Sequence, residues 1–175
     1  MFDPTVYDNL KVVLEGALYD LDLAGQLEII GRSDRVELST MSRFFQLDCK
    51  VKPDGIAVAS VSLDAGLADL AAEILEQEGK QPGCHCYITF QIPVDEPLAA
   101  AEAVKTQIRE IWGERPLLKM TVSYSPDTEQ PDFMLLASMH FGRKLDEGQM
   151  EDIPSMIDHV ALTLQTLDGY IGQRG

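Results

Sequence analysis

The densest cluster of chemically capable side chains is Cys84-His85-Cys86, inside the run CHCYITFQIPV at 84–94. Two thiols and an imidazole in consecutive positions could chelate zinc or support thiol chemistry. Strand parity argues against both, because successive strand side chains point to opposite faces. Cys84, Cys86, Ile88, Phe90, Ile92 and Val94 share one face, while His85, Tyr87, Thr89 and Gln91 share the other. The first set is entirely apolar or thiol and is expected to be buried. His85 then cannot join the two cysteines in one chelate while the strand stays regular. Zinc sites usually take paired cysteines from a turn, spaced C-x2-C to C-x4-C. Free cysteine packs as a small hydrophobe, so Cys84 and Cys86 are read as core residues. His85 and Tyr87 face solvent, a covering helix or a partner.

The remaining candidates are sparser. Asp20 and Asp22 form a D-x-D near a helix end and offer oxygen ligands of the kind Mg²⁺ takes; acids usually stay exposed, and a solvated helix end is expected. Arg143-Lys144 could grip an anion, but the expectation is a solvated turn. The three histidines lie in unrelated segments. There is no G-x-S-x-G, H-E-x-x-H, P-loop or G-x-G-x-x-G, and those patterns carry the commonest hydrolytic and nucleotide chemistries. No catalytic residue, metal ligand or cofactor is expected.

Positioning these side chains requires a core, and the chain has material for one. Its 175 residues are 45% hydrophobic and 25% charged, which suits a single globular domain over residues 1–175. No apolar run approaches the roughly 18 residues of a membrane span. The start, MFDPTVYDNLK, does not read as a signal peptide. Three cysteines do not make a disulfide framework, and a reducing cytoplasm is the expected compartment. The net charge of −15 opposes nucleic acid and anionic lipid, which need clustered Lys and Arg. It favours a basic partner surface.

In chain order, Asp3-Pro4 reads as a helix start. Val6, Leu10, Val13, Leu14, Ala17, Leu18 and Leu21 keep helical spacing over 4–22. Residues 27–30 and 35–39 read as two short strands around a Gly31-Arg32-Ser33-Asp34 turn. Phe45, Leu47, Cys49 and Val51 alternate along a third strand, with Cys49 on its buried side. Pro53-Asp54-Gly55 turns the chain, with Gly55 taking positive φ, into a strand at 56–63. Asp64 is expected to cap a helix that buries Leu67, Leu70, Ala71, Ile74 and Leu75 and closes at Gly79.

After the Cys84 strand, Pro97 opens a helix with Leu98, Ala101, Val104, Ile108 and Ile111 inward, ended by Gly113. Trp112 flanks that stripe as a packing residue. A hairpin at 117–141 turns through the polar loop 125–132 and puts Leu118, Met120, Val122 and Tyr124 inward. Its return strand carries Met134, Leu136, Ser138 and His140 on a semi-apolar face that something must cover. A last helix over 154–168, with Asp152 as cap, buries Met156, Ile157, Val160, Ala161, Leu164 and Leu167. The fold class is α+β, a largely antiparallel sheet of about six to seven strands with three to four helices. The order is α-ββββ-α-β-α-ββ-α, with the helices on one face.

Charge is uneven along this order. Residues 1–30 hold six acids and one base, 64–78 five acids and no base, and 145–175 six acids and one base. Each segment is net −5, and the strand-bearing remainder is balanced. Acidic helices solubilise a protein and also form a field for a basic partner. The residues read as partner-binding are Asp69, Glu73 and Glu76 on the Leu67 helix, with His85 and Tyr87 on the central strand.

The Pro4 helix, the PDG hairpin at 42–63, the Leu67 helix, the hairpin at 117–141 and the Met156 helix occur in an order that resembles the type III secretion chaperone-like fold, including its YbjN-type relatives. The resemblance implies a small, acidic, cytoplasmic protein, commonly dimeric, that binds other proteins without catalysis. The expectation is a chaperone-like or adaptor domain forming a homodimer. The alternatives are a small metal-dependent enzyme using Asp20, Asp22 or the histidines, and a sensory domain with a pocket for a small ligand.

Overall fold

A computed structural model describes residues 5–127, 129 and 132–174, the Arg174 side chain excepted. In order the elements are α1 (Val6–Leu23), β1 (Leu27–Glu37), β2 (Ser42–Val51), β3 (Val58–Ala65), α2 (Leu67–Ile74), β4 (His85–Val94), α3 (Pro97–Trp112), β5 (Leu117–Ser125), β6 (Asp132–His140) and α4 (Ile153–Arg174). A 3-10 turn, Glu147–Asp152, precedes α4. The strands form one antiparallel sheet ordered β1-β2-β3-β4-β6-β5. The fold is α+β in the expected order of elements. The expected start at Asp3-Pro4, and Thr128, Gln130 and Pro131 of the 125–132 loop, lie outside the described residues.

The core follows strand parity. Leu47, Cys49, Ala59, Val61, Cys86, Ile88, Phe90, Leu135 and Ala137 are all buried on one face of the sheet. The helices cover that face with matching stripes. Leu10, Leu14 and Leu18 of α1 are buried, as are Val104 and Ile108 of α3 and Ile157, Val160, Leu164 and Leu167 of α4. Each fully buried side chain of this size contributes roughly 1.5–3 kcal/mol. The Cys84–Val94 run is thus a central strand packed under helices, as its alternation predicts.

Several local readings change. Residues 27–37 form one strand, since Gly31 to Asp34 pair with Asp48 to Phe45 instead of turning. The register shifts at Ile30, and this bulge swaps faces, so Arg32 and Asp34 point at α1. There Arg32 meets Glu15 at 2.9 Å and Asp34 meets Lys11. Gly31 leaves room for the Asp48 side chain, whose carboxylate oxygen lies 2.5 Å from where a Cβ would sit. Turn-like composition here encodes a charged clamp between an edge strand and a helix.

Gly55 is glycine for a similar reason. Its φ is not positive; a Cβ would lie 2.6 Å from the Val51 carbonyl oxygen. The strand after it starts at Val58, and Asp168 Oδ1 on α4 accepts from the Ile56 and Ala57 N–H groups at 3.0 and 2.8 Å. Thr5, in a capping box with Asp8, caps α1. Asp64 lies within β3, paired to Phe44 and His85, and Gly66 is the α2 cap. Asp146 caps the 3-10 turn, which includes Asp152 and runs directly into α4, whose start at Ile153 lies within one residue of the expected one. In α3 the inward residue is Ala100, while Leu98 is exposed. Val122 and Tyr124 of β5 are exposed instead of inward.

Candidate functional site

Helix α2 is built inside out. Residues at i, i+3 and i+4 share a helix face. Asp69, Ala72 and Glu73 form one such face and Leu67, Leu70, Ala71 and Ile74 the opposite one. The sequence pattern puts the apolar face inward, but the structure reverses it. Ala72 is the buried residue of the helix, while Leu67 is 53%, Ile74 71% and Leu75 67% exposed. The physical reason lies in the acids. The Val6 N–H, in the first turn of α1, donates to Glu73 Oε1 at 2.7 Å. Lys144 Nζ donates to both Asp69 carboxylate oxygens at 2.8 and 2.9 Å. Glu73 therefore serves an otherwise unpaired helix N–H and its positive dipole end, and Asp69 forms an ion pair with one side chain largely covered. An eight-residue helix held by these two bonds turns Leu67, Ile74 and its C-cap Leu75 to solvent and leaves Leu70 half-buried.

Of the three acids expected on this helix, Asp69 and Glu73 are thus directed into the molecule. Glu76 lies past the helix end with φ 48. Glu76 and Glu78 are exposed and make no ion pair among the described residues. They rim the apolar stripe with negative charge.

His85 and Tyr87 face away from the helices on β4, as parity predicts. The strand register sets Tyr87 opposite His140 of β6 and His85 opposite Asp64 of β3. The His85 and Tyr87 rings stack with centroids 6.2 Å apart, and Tyr87 meets His140 at 5.9 Å. The three side chains sequence reasoning singled out therefore form a continuous row. The row lies on the open face of the sheet, where His85, Gln91 and His140 are exposed and Tyr87 is 39% exposed. No described helix of this chain provides the cover expected over Met134 and Leu136.

The other candidates resolve into structure. Cys49, Cys84 and Cys86 are buried free thiols, and burial pushes all three up to about 12. Asp22 accepts from the Ile29 N–H at 2.9 Å and from Lys52 Nζ at 2.8 Å. The hydrogen bond from Lys52 holds its carboxyl below the ordinary value. This side chain is a clamp between the end of α1 and the first hairpin. Among the described residues no three His, Cys, Asp or Glu side chains converge closely enough to hold a metal. No described helix is long and apolar enough to cross a membrane.

A cleft that the sequence did not flag lies between the ends of α3 and β6 and the start of α4. Its volume is about 710 Å³ and its wall includes Trp112, Arg115, Phe141, Arg143 and His159. Its lining comes from three stretches of chain, 112–115, 141–145 and 149–159, so no single local spacing could have revealed it. No protein-family model, curated protein or solved structure matches the chain.

Proposed function

We propose that this chain is a non-catalytic, chaperone-like or adaptor domain of the cytoplasm that binds a basic amphipathic segment of another protein on the outward face of α2. The observation that carries this reading is the inverted orientation of α2. Leu67 and Ile74 on one short helix, and Leu75 at its C-cap, stand in solvent while Asp69 and Glu73 beside them are used internally. Contiguous apolar surface rimmed by polar groups is the usual mark of a protein-binding site. Helix-in-groove recognition reads such a stripe through anchors at i, i+3, i+4 and i+7. The charge selects the occupant. Glu76 and Glu78 flank the stripe and the 64–78 segment is net −5, so Lys or Arg beside the partner's apolar residues would be attracted and an acidic segment repelled. The element order that resembles type III secretion chaperones supports the same class of function.

The test uses two synthetic amphipathic helical peptides of equal length, one Leu/Lys and one Leu/Glu. The Leu/Lys peptide is expected to bind, with an on-rate that falls as salt rises from 0.01 to 0.1 M, where the Debye length shrinks from roughly 30 to about 10 Å. The double variant Ile74→Gln, Leu75→Gln should lose that binding and keep its melting temperature, since both side chains are exposed. Equal binding of both peptides, or unchanged binding by the double variant, would refute the assignment.

A further inference from the structure

The cleft beside Trp112 has the chemistry of a ligand site. Three aromatic rings make its apolar wall. Trp112 lies 5.2 Å from His159 and 6.1 Å from Phe141, centroid to centroid, each pair tilted by about 50°. Two of these rings are held by hydrogen bonds. The Trp112 indole N–H donates to Thr163 Oγ1 at 2.9 Å, and the Thr163 hydroxyl donates to the His159 carbonyl at 2.7 Å. His159 Nδ1 lies 2.7 Å from the Ser155 carbonyl. A carbonyl can only accept, so Nδ1 carries a proton there.

The polar lining is rich in donors. Arg115 and Arg143 both border the cleft, and neither forms an ion pair among the described residues, although the chain carries 29 acids against 14 bases. Gln149 spends its oxygen on the Asp146 N–H at 2.9 Å, which leaves its amide N–H groups free. The Ser155 hydroxyl adds another donor. Among the described lining residues Asp152 alone opposes them with negative charge. Guanidinium groups are planar forks matched to carboxylate and phosphate oxygens. The volume falls within the roughly 300–1,000 Å³ usual for small-molecule sites.

We infer that the cleft between α3, β6 and α4 binds a small organic anion, an acid group on a flat apolar body, with Arg115 and Arg143 on the acid and Trp112, Phe141 and His159 against the body. This site is spatially distinct from the α2 surface. It gives the protein a second kind of ligand and a place where a metabolite could control it.

Trp112 is the chain's single tryptophan, so its fluorescence reports on this cleft without labels. The experiment titrates the full chain with benzoate, its neutral counterpart benzamide, and acetate, reading tryptophan emission and the indole N–H signal in ¹⁵N-labelled protein. Benzoate is expected to give a saturable change in both. Benzamide should bind at least about tenfold more weakly, the usual value of one charge-assisted pair, and acetate weaker still for want of the ring. Arg115→Gln and Arg143→Gln should each weaken benzoate several-fold, and the double variant should abolish it with the folded spectrum and melting temperature intact. Equal affinity for benzoate and benzamide, no response to any of the three, or undiminished benzoate binding by the double variant would overturn the proposal.

Discussion

Replacing Glu73 with alanine separates the two roles an acid on α2 can have. On sequence grounds Glu73 reads as one of three exchangeable surface charges, whose loss changes stability little. The structure instead places its Oε1 2.7 Å from the Val6 N–H at the start of α1. Removing it leaves a first-turn N–H of α1 unpaired beside Val6, which is buried. A lost helix-terminal acceptor costs about 0.5–2 kcal/mol. Losing the negative charge from the positive end of the dipole adds about 0.3–1 kcal/mol. The expected cost is therefore about 1–3 kcal/mol. For a chain of this size that lowers the melting temperature by roughly 2–12 °C, at about 2–4 °C per kcal/mol. Glu73→Gln keeps an acceptor oxygen and should recover half or more of the loss. Glu76→Ala, exposed and unpaired, should stay within about 0.5 kcal/mol of the parent. Urea unfolding of the three variants, followed by circular dichroism, measures all of these together. If Glu73→Ala costs no more than Glu76→Ala, the assignment of Glu73 as the long-range cap of α1 is refuted.

Other consequences can be checked directly. With their pKa values raised to about 12, Cys49, Cys84 and Cys86 are about one part in ten thousand thiolate at pH 8, roughly a thousandfold less than an exposed cysteine. A thiol reagent should label none of them rapidly in native protein and all three in denaturant; fast native labelling would contradict their burial. Burial alone would raise the Asp8 carboxyl, but hydrogen bonds from Thr5 and Arg43 outweigh it and lower it below 3.8. A depressed carboxyl contributes stability that is present above the unfolded value and lost as pH falls through the folded one. Asp8→Asn should therefore destabilise at pH 6 and cost progressively less below about pH 4; a pH-independent cost would argue against this role. The edge strand β5 leaves Leu117, Val122 and Tyr124 exposed, and edges invite pairing. A homodimer of about 39 kDa, twice the 19.4 kDa chain, is expected by light scattering at on the order of tens of micromolar; a monomer there would exclude it.

What sequence reasoning recovers depends on how local the cause is. The β4 alternation from Cys84 to Val94 was readable because one face was uniformly apolar and the pleat has period two. The α1, α3 and α4 stripes were readable for the same kind of reason. Gly31-Arg32-Ser33-Asp34 misled because its residues suit a turn equally well. Their strand state is supported by Glu15 and Lys11, seventeen and twenty-three positions before their partners Arg32 and Asp34. The α2 stripe was recognised but given the wrong sign, since its direction is set by Val6 and Lys144, each more than sixty positions away. The row of His85 and Tyr87 was legible from parity, and its extension to His140 required the β4–β6 register. The Trp112 cleft draws on three stretches of chain and left no local trace beyond an arginine at 143.

The backbone after β6 ties these surfaces together. Leu145 exchanges two 2.8 Å hydrogen bonds with Cys84, its N–H to the Cys84 carbonyl and its carbonyl to the Cys84 N–H. Gly83 lets the chains approach, since a Cβ there would lie 2.6 Å from the Leu145 oxygen. Of the three consecutive residues at this strap, Arg143 and Leu145 border the cleft while Lys144, between them, holds Asp69 of α2. One short segment is thus common property of a small-molecule site and a macromolecular one. Anything that shifts this strap is felt at both ends. If cleft occupancy changes peptide affinity at α2 by some factor, thermodynamic reciprocity requires the peptide to change cleft affinity by the same factor.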